Sequence, residues 1–165
     1  MDTKTIIVTL VTDRTQADVE RVRELAAKGF AAMTADEQAE WLAGMKGTYN
    51  ASDMNRVGTA LNYLAARLSS ICGRSIAWTA KTDWAVTDIP AASQAETYRR
   101  QIQDIRDALA YPAGTPDAPQ LGRLTYIGAN DIERILALCE DLIVNVAKSF
   151  RHTGAAECAA GGLLT

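Results

Sequence analysis

Few side chains in this sequence have the type and spacing for chemistry. The one histidine, His152, stands in a Gly/Ala-rich stretch with nothing to pin it against a nucleophile. A catalytic triad needs its base oriented by a third group. Cys72, Cys139 and Cys158 form no pair at metal or redox spacing. His152 and Cys158 are two ligands where a zinc site takes three or four. An odd number of cysteines argues against a disulfide framework. Cys72 and Cys139 fall within apolar periodic segments, where a thiol acts as a small hydrophobe, and synthesis in a reducing compartment is the simplest reading.

Carboxylates recur in pairs on single helical faces: Glu37 with Glu40, Asp104 with Asp107, Glu133 with Glu140. A di-iron bundle needs a Glu-x-x-His motif, which the sequence lacks. A glycosidase needs two acids facing each other across a cleft. These acids lie opposite the apolar stripes, so solvated faces are expected. No G-x-G-x-x-G, Walker A or G-x-S-x-G motif occurs. The expectation is therefore no catalytic, cofactor-binding or metal-ligating residue. Trp41, Trp78 and Trp84 read as core or interface anchors rather than as the lining of a ligand groove. Arg99, Arg100 and Arg106 interleave with Glu96, Asp104 and Asp107, which gives a solvated face rather than an anion site.

The composition sets the class. The chain has 165 residues, 48% of them apolar and 22% charged, the make-up of one compact globular domain or two very small ones. Seventeen Lys and Arg against 20 Asp and Glu give a net charge of -3, without the basic stripe of a nucleic-acid or anionic-membrane binder. No apolar run reaches the roughly 20 residues of a membrane span. Thr5 to Val11 lacks the basic flank and cleavage site of a signal peptide.

The elements that must position these residues are mostly helices. Residues 1–12 read as an extended arm or strand, because Thr5 to Val11 is β-branched and short. Residues 13–151 read as a helical domain. Its first helix is capped by Thr15 and stops at Gly29; its second opens on the capping box Thr34 to Glu37 and carries Trp41, Leu42 and Met45. A third, capped by Ser52, carries Met54, Val57, Leu61, Leu64, Leu68 and Ile71 in heptad steps and ends at Gly73. From Ile76 to Pro90 the period changes. Ile76, Trp78 and Ala80 alternate with exposed types, Lys81-Thr82-Asp83 fits a turn, and a small β-hairpin or extended crossover is expected.

A fourth helix runs from about Ala91 to Ala110 through Tyr98, Ile102, Ile105 and Leu109. Pro112, Pro116 and Pro119 prevent a helix in the loop that follows. The fifth starts near Ala129 or Asn130 and reaches about Arg151. Its stripe of Ile132, Ile135, Cys139, Leu142 and Val146 is flanked by Leu136, Ile143 and Phe150, so it is expected to be central. Residues 152–165 form a Gly/Ala-rich tail without periodicity, expected to order only against the body or a partner. The fold class is mainly α: about five helices in an antiparallel bundle-like domain with a small β element.

Thr48-Tyr49 before Asp53-Met54-Asn55-Arg56-Val57 echoes Thr125-Tyr126 before Asp131-Ile132-Glu133-Arg134-Ile135. Either two helix-loop-helix units are repeated about a pseudo-twofold, or two helix starts are alike by chance.

Four blocks together carry a resemblance. They are Val11-Thr12-Asp13-Arg14-Thr15-Gln16-Ala17-Asp18-Val19; Trp41 to Asn50 with Asp53 to Val57; Lys81-Thr82-Asp83-Trp84 with Asp88-Ile89-Pro90; and Leu124-Thr125-Tyr126 with Ala129 to Glu133. In order and spacing they resemble a domain recurrent in structural proteins of phages and prophages of Gram-positive bacteria, encoded in the tail or tail-fibre region. The resemblance covers about Thr9 to Thr165. It implies a non-enzymatic virion component serving assembly or attachment. Its implied partners are other virion proteins and further copies of itself, a trimer by analogy with fibres. Neither nucleic acid nor a membrane is among the expected partners. The end departs from the pattern: Gly154 to Leu164 keeps the aliphatic terminus but lacks the aromatic and one acid that relatives carry, which puts a contact of the tail with a neighbouring subunit in doubt. The rival expectations are a cell-wall glycan hydrolase of a phage tail and an intracellular helical adaptor.

Overall fold

The computed structural model describes the backbone of residues 5–161 and the side chains of residues 6–150. Among these there are six α-helices: α1 (Thr5–Val8), α2 (Gln16–Lys28), α3 (Ala35–Ala43), α4 (Ala51–Cys72), α5 (Ala92–Asp107) and α6 (Tyr126–Gly161). Short 3-10 turns lie at Phe30–Ala32 and Leu121–Arg123. The five helices expected from periodicity correspond to α2 through α6.

The heptad stripes do what their spacing requires. Val57, Leu61, Leu64 and Leu68 of α4 meet Ile132, Ile135, Leu136, Cys139 and Ile143 of α6, and Tyr98, Ile102 and Ile105 of α5 close the core from the other side. Each Leu or Ile sealed there contributes about 1.5–3 kcal/mol. Because α6 carries two adjacent apolar stripes, it packs on both α4 and α5. A second, smaller core gathers Leu25 of α2 with Met33 and Met45, and Val22 and Trp41 cover it.

The helix starts are set by side chains. Thr15 with Asp18 and Thr34 with Glu37 form reciprocal capping boxes at α2 and α3. At α4 the cap is Asn50 and not Ser52. Asn50 Oδ1 accepts the amides of Ser52 and Asp53, and Asp53 Oδ2 accepts the Asn50 amide at 2.9 Å. At α6 the Gly128 amide donates to Thr125 Oγ1, which starts the helix a few residues ahead of Ala129. The helical backbone runs past Arg151 to Gly161, a stretch in which Ala155, Ala156, Ala159 and Ala160 are strong helix formers. Leu163 and Leu164, and the side chains of His152 and Cys158, lie outside the described residues.

The expected β element is absent among the described residues, for two separate reasons. Thr5 to Val8 is a helical turn because Ile6, Ile7 and Leu10 pack on the main core, and α1 rests on α4 and α6. Spacing of i, i+1, i+4 suits one face of a turn, and burial outweighs the β preference of the branched residues. The segment from Ile76 to Ala85 is non-helical, and its partner is a helix; Val86 begins a turn and is exposed. Asn55 of α4 donates from Nδ2 to the Trp84 carbonyl and accepts the Trp84 amide on Oδ1, at 2.9 and 2.7 Å. Two turns on, Asn62 does the same for Ala80, at 3.0 and 2.7 Å. The side-chain amides supply the paired donor and acceptor that a neighbouring strand would offer. Trp84 and Ala80 thereby enter the core while Ala77, Thr79 and Ala85 remain exposed.

Gly58, between the two asparagines, lets the segment lie this close. A Cβ there would overlap the Lys81 carbonyl oxygen. Gly58→Ala should therefore lower stability by about 1–3 kcal/mol, although alanine is the better helix former. Chemical denaturation monitored by far-UV circular dichroism measures the sign; a stabilised variant would show that the segment is not held against α4.

Candidate functional site

The polar centre of the molecule is one that sequence reasoning placed on the surface. Glu133, expected on a solvated face with Glu140, is fully buried, while Glu140 sits apart with Tyr63 and Arg67. Around Glu133 two distant segments deliver three more charges. Arg14 comes from the loop before α2, and Asp53 and Arg56 from the first turns of α4. Arg14 Nη2 donates to Glu133 Oε1 at 2.7 Å and to Asp53 Oδ1 at 2.9 Å. Arg56 donates from Nε to Glu133 Oε2 at 3.0 Å, and from Nη2 to Glu133 Oε1 at 2.7 Å and to Asp53 Oδ1. Two cations face two anions, so the cluster is neutral as a unit.

The backbone completes it. The Val11 amide donates to Glu133 Oε2 at 2.6 Å, and Arg14 Nη1 donates to the Val11 carbonyl at 2.6 Å. Asn130, one helical turn ahead of Glu133, accepts the Arg14 amide and donates to the Arg14 carbonyl, each at 2.9 Å. This is the third asparagine clamp on an irregular segment. The Arg14 guanidinium stacks 5.6 Å from the Tyr49 ring centroid, and its Nε is buried without an acceptor. Burial pulls the Arg56 guanidinium towards losing its proton, but the Glu133 and Asp53 carboxylates outweigh it and hold the cation more firmly than usual.

Beside the cluster, the Tyr49 and Tyr98 hydroxyls bond each other at 2.6 Å. Tyr49 is only half-buried as a residue, but its hydroxyl end points inward. Burial, with the nearby Glu133 and Asp53 charges, pushes both phenols above their ordinary value. Burial likewise raises the Tyr111 phenol, and it raises the Cys139 thiol to about 11, so that thiol is an inert core group. Burial also lifts the Glu140 carboxyl, against the pull of Arg67.

The other expected acids are solvated or structural. Glu37 and Glu40 pair with Lys28 and Arg21 at the surface, and Asp104 Oδ2 accepts the Trp78 indole N–H at 2.7 Å. Trp84 is buried, while Trp41 and Trp78 are half-buried against the two cores. Asp131 and Arg134, the echo of Asp53 and Arg56, do not share their role: Arg134 is exposed, and the inward residue is Glu133. Among the described residues no group of three His, Cys, Asp or Glu could hold a metal ion. None of the described helices is long and apolar enough to cross a membrane.

A groove of about 660 Å³ opens beside the cluster, between α2, the loop before α4 and the leading ends of α5 and α6. Arg14 forms part of its lining, as do Tyr49 and Tyr126. No protein-family model, no curated protein and no solved structure matches the chain.

Chemically, the cluster is suited to holding segments together. The oxygens of Glu133 and Asp53 are occupied by guanidinium and backbone donors. Removing one charge leaves its partners buried and unmatched. Glu133→Gln should cost about 3–5 kcal/mol, and so should Arg14→Met. The double variant should cost less than the sum by about 0.5–3 kcal/mol, the signature of direct coupling in a double-mutant cycle by urea denaturation.

The tyrosine pair sets an alkaline limit. A phenol whose folded pKa lies above its unfolded value stabilises the fold fully below the ordinary value of 10.0, and this stability is lost as pH rises towards the folded value. Tyr49 and Tyr98 should therefore ionise, read at 295 nm, only together with loss of helicity above that pH. Ionisation of a phenol that Tyr98→Phe removes, with the helical signal intact, would contradict it.

Proposed function

We propose that this chain is a non-enzymatic structural protein of a phage virion, a component of the tail, baseplate or tail fibre that serves assembly or attachment. Its partners in this reading are other virion proteins and further copies of itself, and its location is the particle. One observation carries it. The sequence blocks that bear the resemblance to phage tail-region proteins converge in space. Arg14 belongs to the first, Asp53 and Arg56 to the second, and Asn130 and Glu133 to the last, and together they form the buried ion cluster. Lys81 and Trp84 of the middle block lie in the segment clamped to α4. In this reading the blocks that carry the resemblance are a folding framework rather than a reaction centre.

The glycan-hydrolase alternative is less well supported. Its two acids would flank the scissile bond in a cleft, and among the described residues no Asp or Glu lines the groove beside the cluster.

Mass spectrometry of gradient-purified particles from an induced lysogen tests the proposal directly. The polypeptide should be present in stoichiometric amount, and zymography of the pure protein on host cell walls should show no clearing. Absence from intact particles, or clear lysis, would overturn it.

A further inference from the structure

The groove beside the ion cluster lies at the seam of the two hydrophobic cores, with α2 of the smaller core on one side and α5 and α6 of the larger on the other. Val19, Tyr49, Leu124 and Tyr126 give it apolar and aromatic walls. Its volume falls in the range of pockets that enclose a drug-sized ligand, roughly 300–1,000 Å³.

Its electrostatics run against those of the whole. The chain carries a net charge of -3, yet among the described residues the only charged ones lining the groove are two arginines, Arg14 and Arg23. Arg14 is matched from behind by Asp53 and Glu133. Arg23 is exposed and has no ion-pair partner among the described residues, whereas Arg21, on the same helix, is held by Glu24 and Glu40. The leading ends of α5 and α6, which carry no acid in their first turns, also border the groove through Ala95 and Ala129 and add positive partial charge to the same space. A partner that fits must offer apolar surface to the walls and a negative charge to Arg23. An acidic chain segment does both. An anionic membrane or a nucleic acid would instead meet a surface of net negative charge.

We propose that this groove docks an extended segment of another protein, in which an acidic side chain meets Arg23 and flanking apolar side chains seat against Tyr49, Leu124 and Tyr126. The inference does not depend on the virion reading.

Selection of a displayed random-peptide library on the full chain tests it. The enriched peptides should carry Asp or Glu beside aliphatic or aromatic residues. A selected peptide, titrated by fluorescence anisotropy, should lose roughly tenfold in affinity on Arg23→Glu, the worth of one charge-assisted hydrogen bond. Neutralising its acid should cost the same, and the two changes together no more than either alone. Arg23 is exposed, so the variant should keep the wild-type circular dichroism spectrum; if it does not, Arg23→Gln takes its place under the same criteria. No enrichment of acidic peptides, or affinities indifferent to Arg23 in a folded variant, would overturn the proposal. So would binding of phosphatidylglycerol vesicles that Arg23→Glu abolishes, since that assigns the groove to a lipid surface.

Discussion

Everything else in this fold is arranged around the burial of Glu133. A carboxylate removed from water costs several kcal/mol unless its charge and its lone pairs are both matched. The match here comes from residues 77 and 119 positions away in sequence, Arg56 and Arg14, with the Val11 amide as a further donor. The requirement therefore fixes three segments at once: the loop before α2, the start of α4 and the start of α6. Heptad seams alone would not, because a stripe repeating every seven residues packs almost equally well after a one-heptad slip. A slip of α6 against α4 would carry Glu133 away from Arg56 and leave both charges buried and unmatched. The apolar stripes supply the energy of the pairing, and the cluster supplies its register.

A second device handles the chain that is not helical. Asn55, Asn62 and Asn130 each grip the amide and the carbonyl of a single residue, Trp84, Ala80 and Arg14 in turn. Loops usually stay at the surface because buried backbone must be satisfied. These amides satisfy it without a sheet, which lets Ala80 and Trp84 reach the core from an irregular segment. Gly58 is the complement of the clamp, since the helix can receive a backbone at this distance only where it lacks a side chain. In sequence the set reads Asn55, Gly58, Asn62, one face of α4 over two turns.

Much of this was legible in the residues, and the failures have physical causes. Capping boxes, heptad steps and glycine stops place α2 through α6 because those signals are local. The segment after Ile76 is the extended crossover and not the hairpin, although its alternation of burial up to Ala80 is genuine: Ala80 points in while Ala77 and Thr79 point out. A period of two reports a ribbon with one dry face; it does not report what covers that face. Glu133 was misplaced because periodicity assigns acids to the wet side by type. The only positional signal is weak, since Glu133 sits at the flank of the apolar arc of α6, one turn from the buried Ala129. Which cation pairs with it cannot be read locally. Arg14 lies in a loop, where no period links it to a face.

The same logic separates what the sequence blocks encode from what the surface can do. Arg14, Asp53, Arg56 and Glu133 neutralise one another, and their donors and acceptors are directed inward, so changing any of them alters the fold before it alters recognition. Arg23 differs in kind: it is exposed, it takes no part in either core, and among the described residues no carboxylate holds it. A scaffold whose internal charges are mutually satisfied can vary such a rim residue at little cost in stability. The neutral cluster also keeps the groove positive. If Asp53 and Glu133 were not matched by two guanidinium groups, their charge behind the groove would cancel the attraction of Arg23 and of the helix ends. Burying the ions as two and two thus serves both register and recognition, by holding three segments in place while leaving the field in the adjoining groove to the residues that line it.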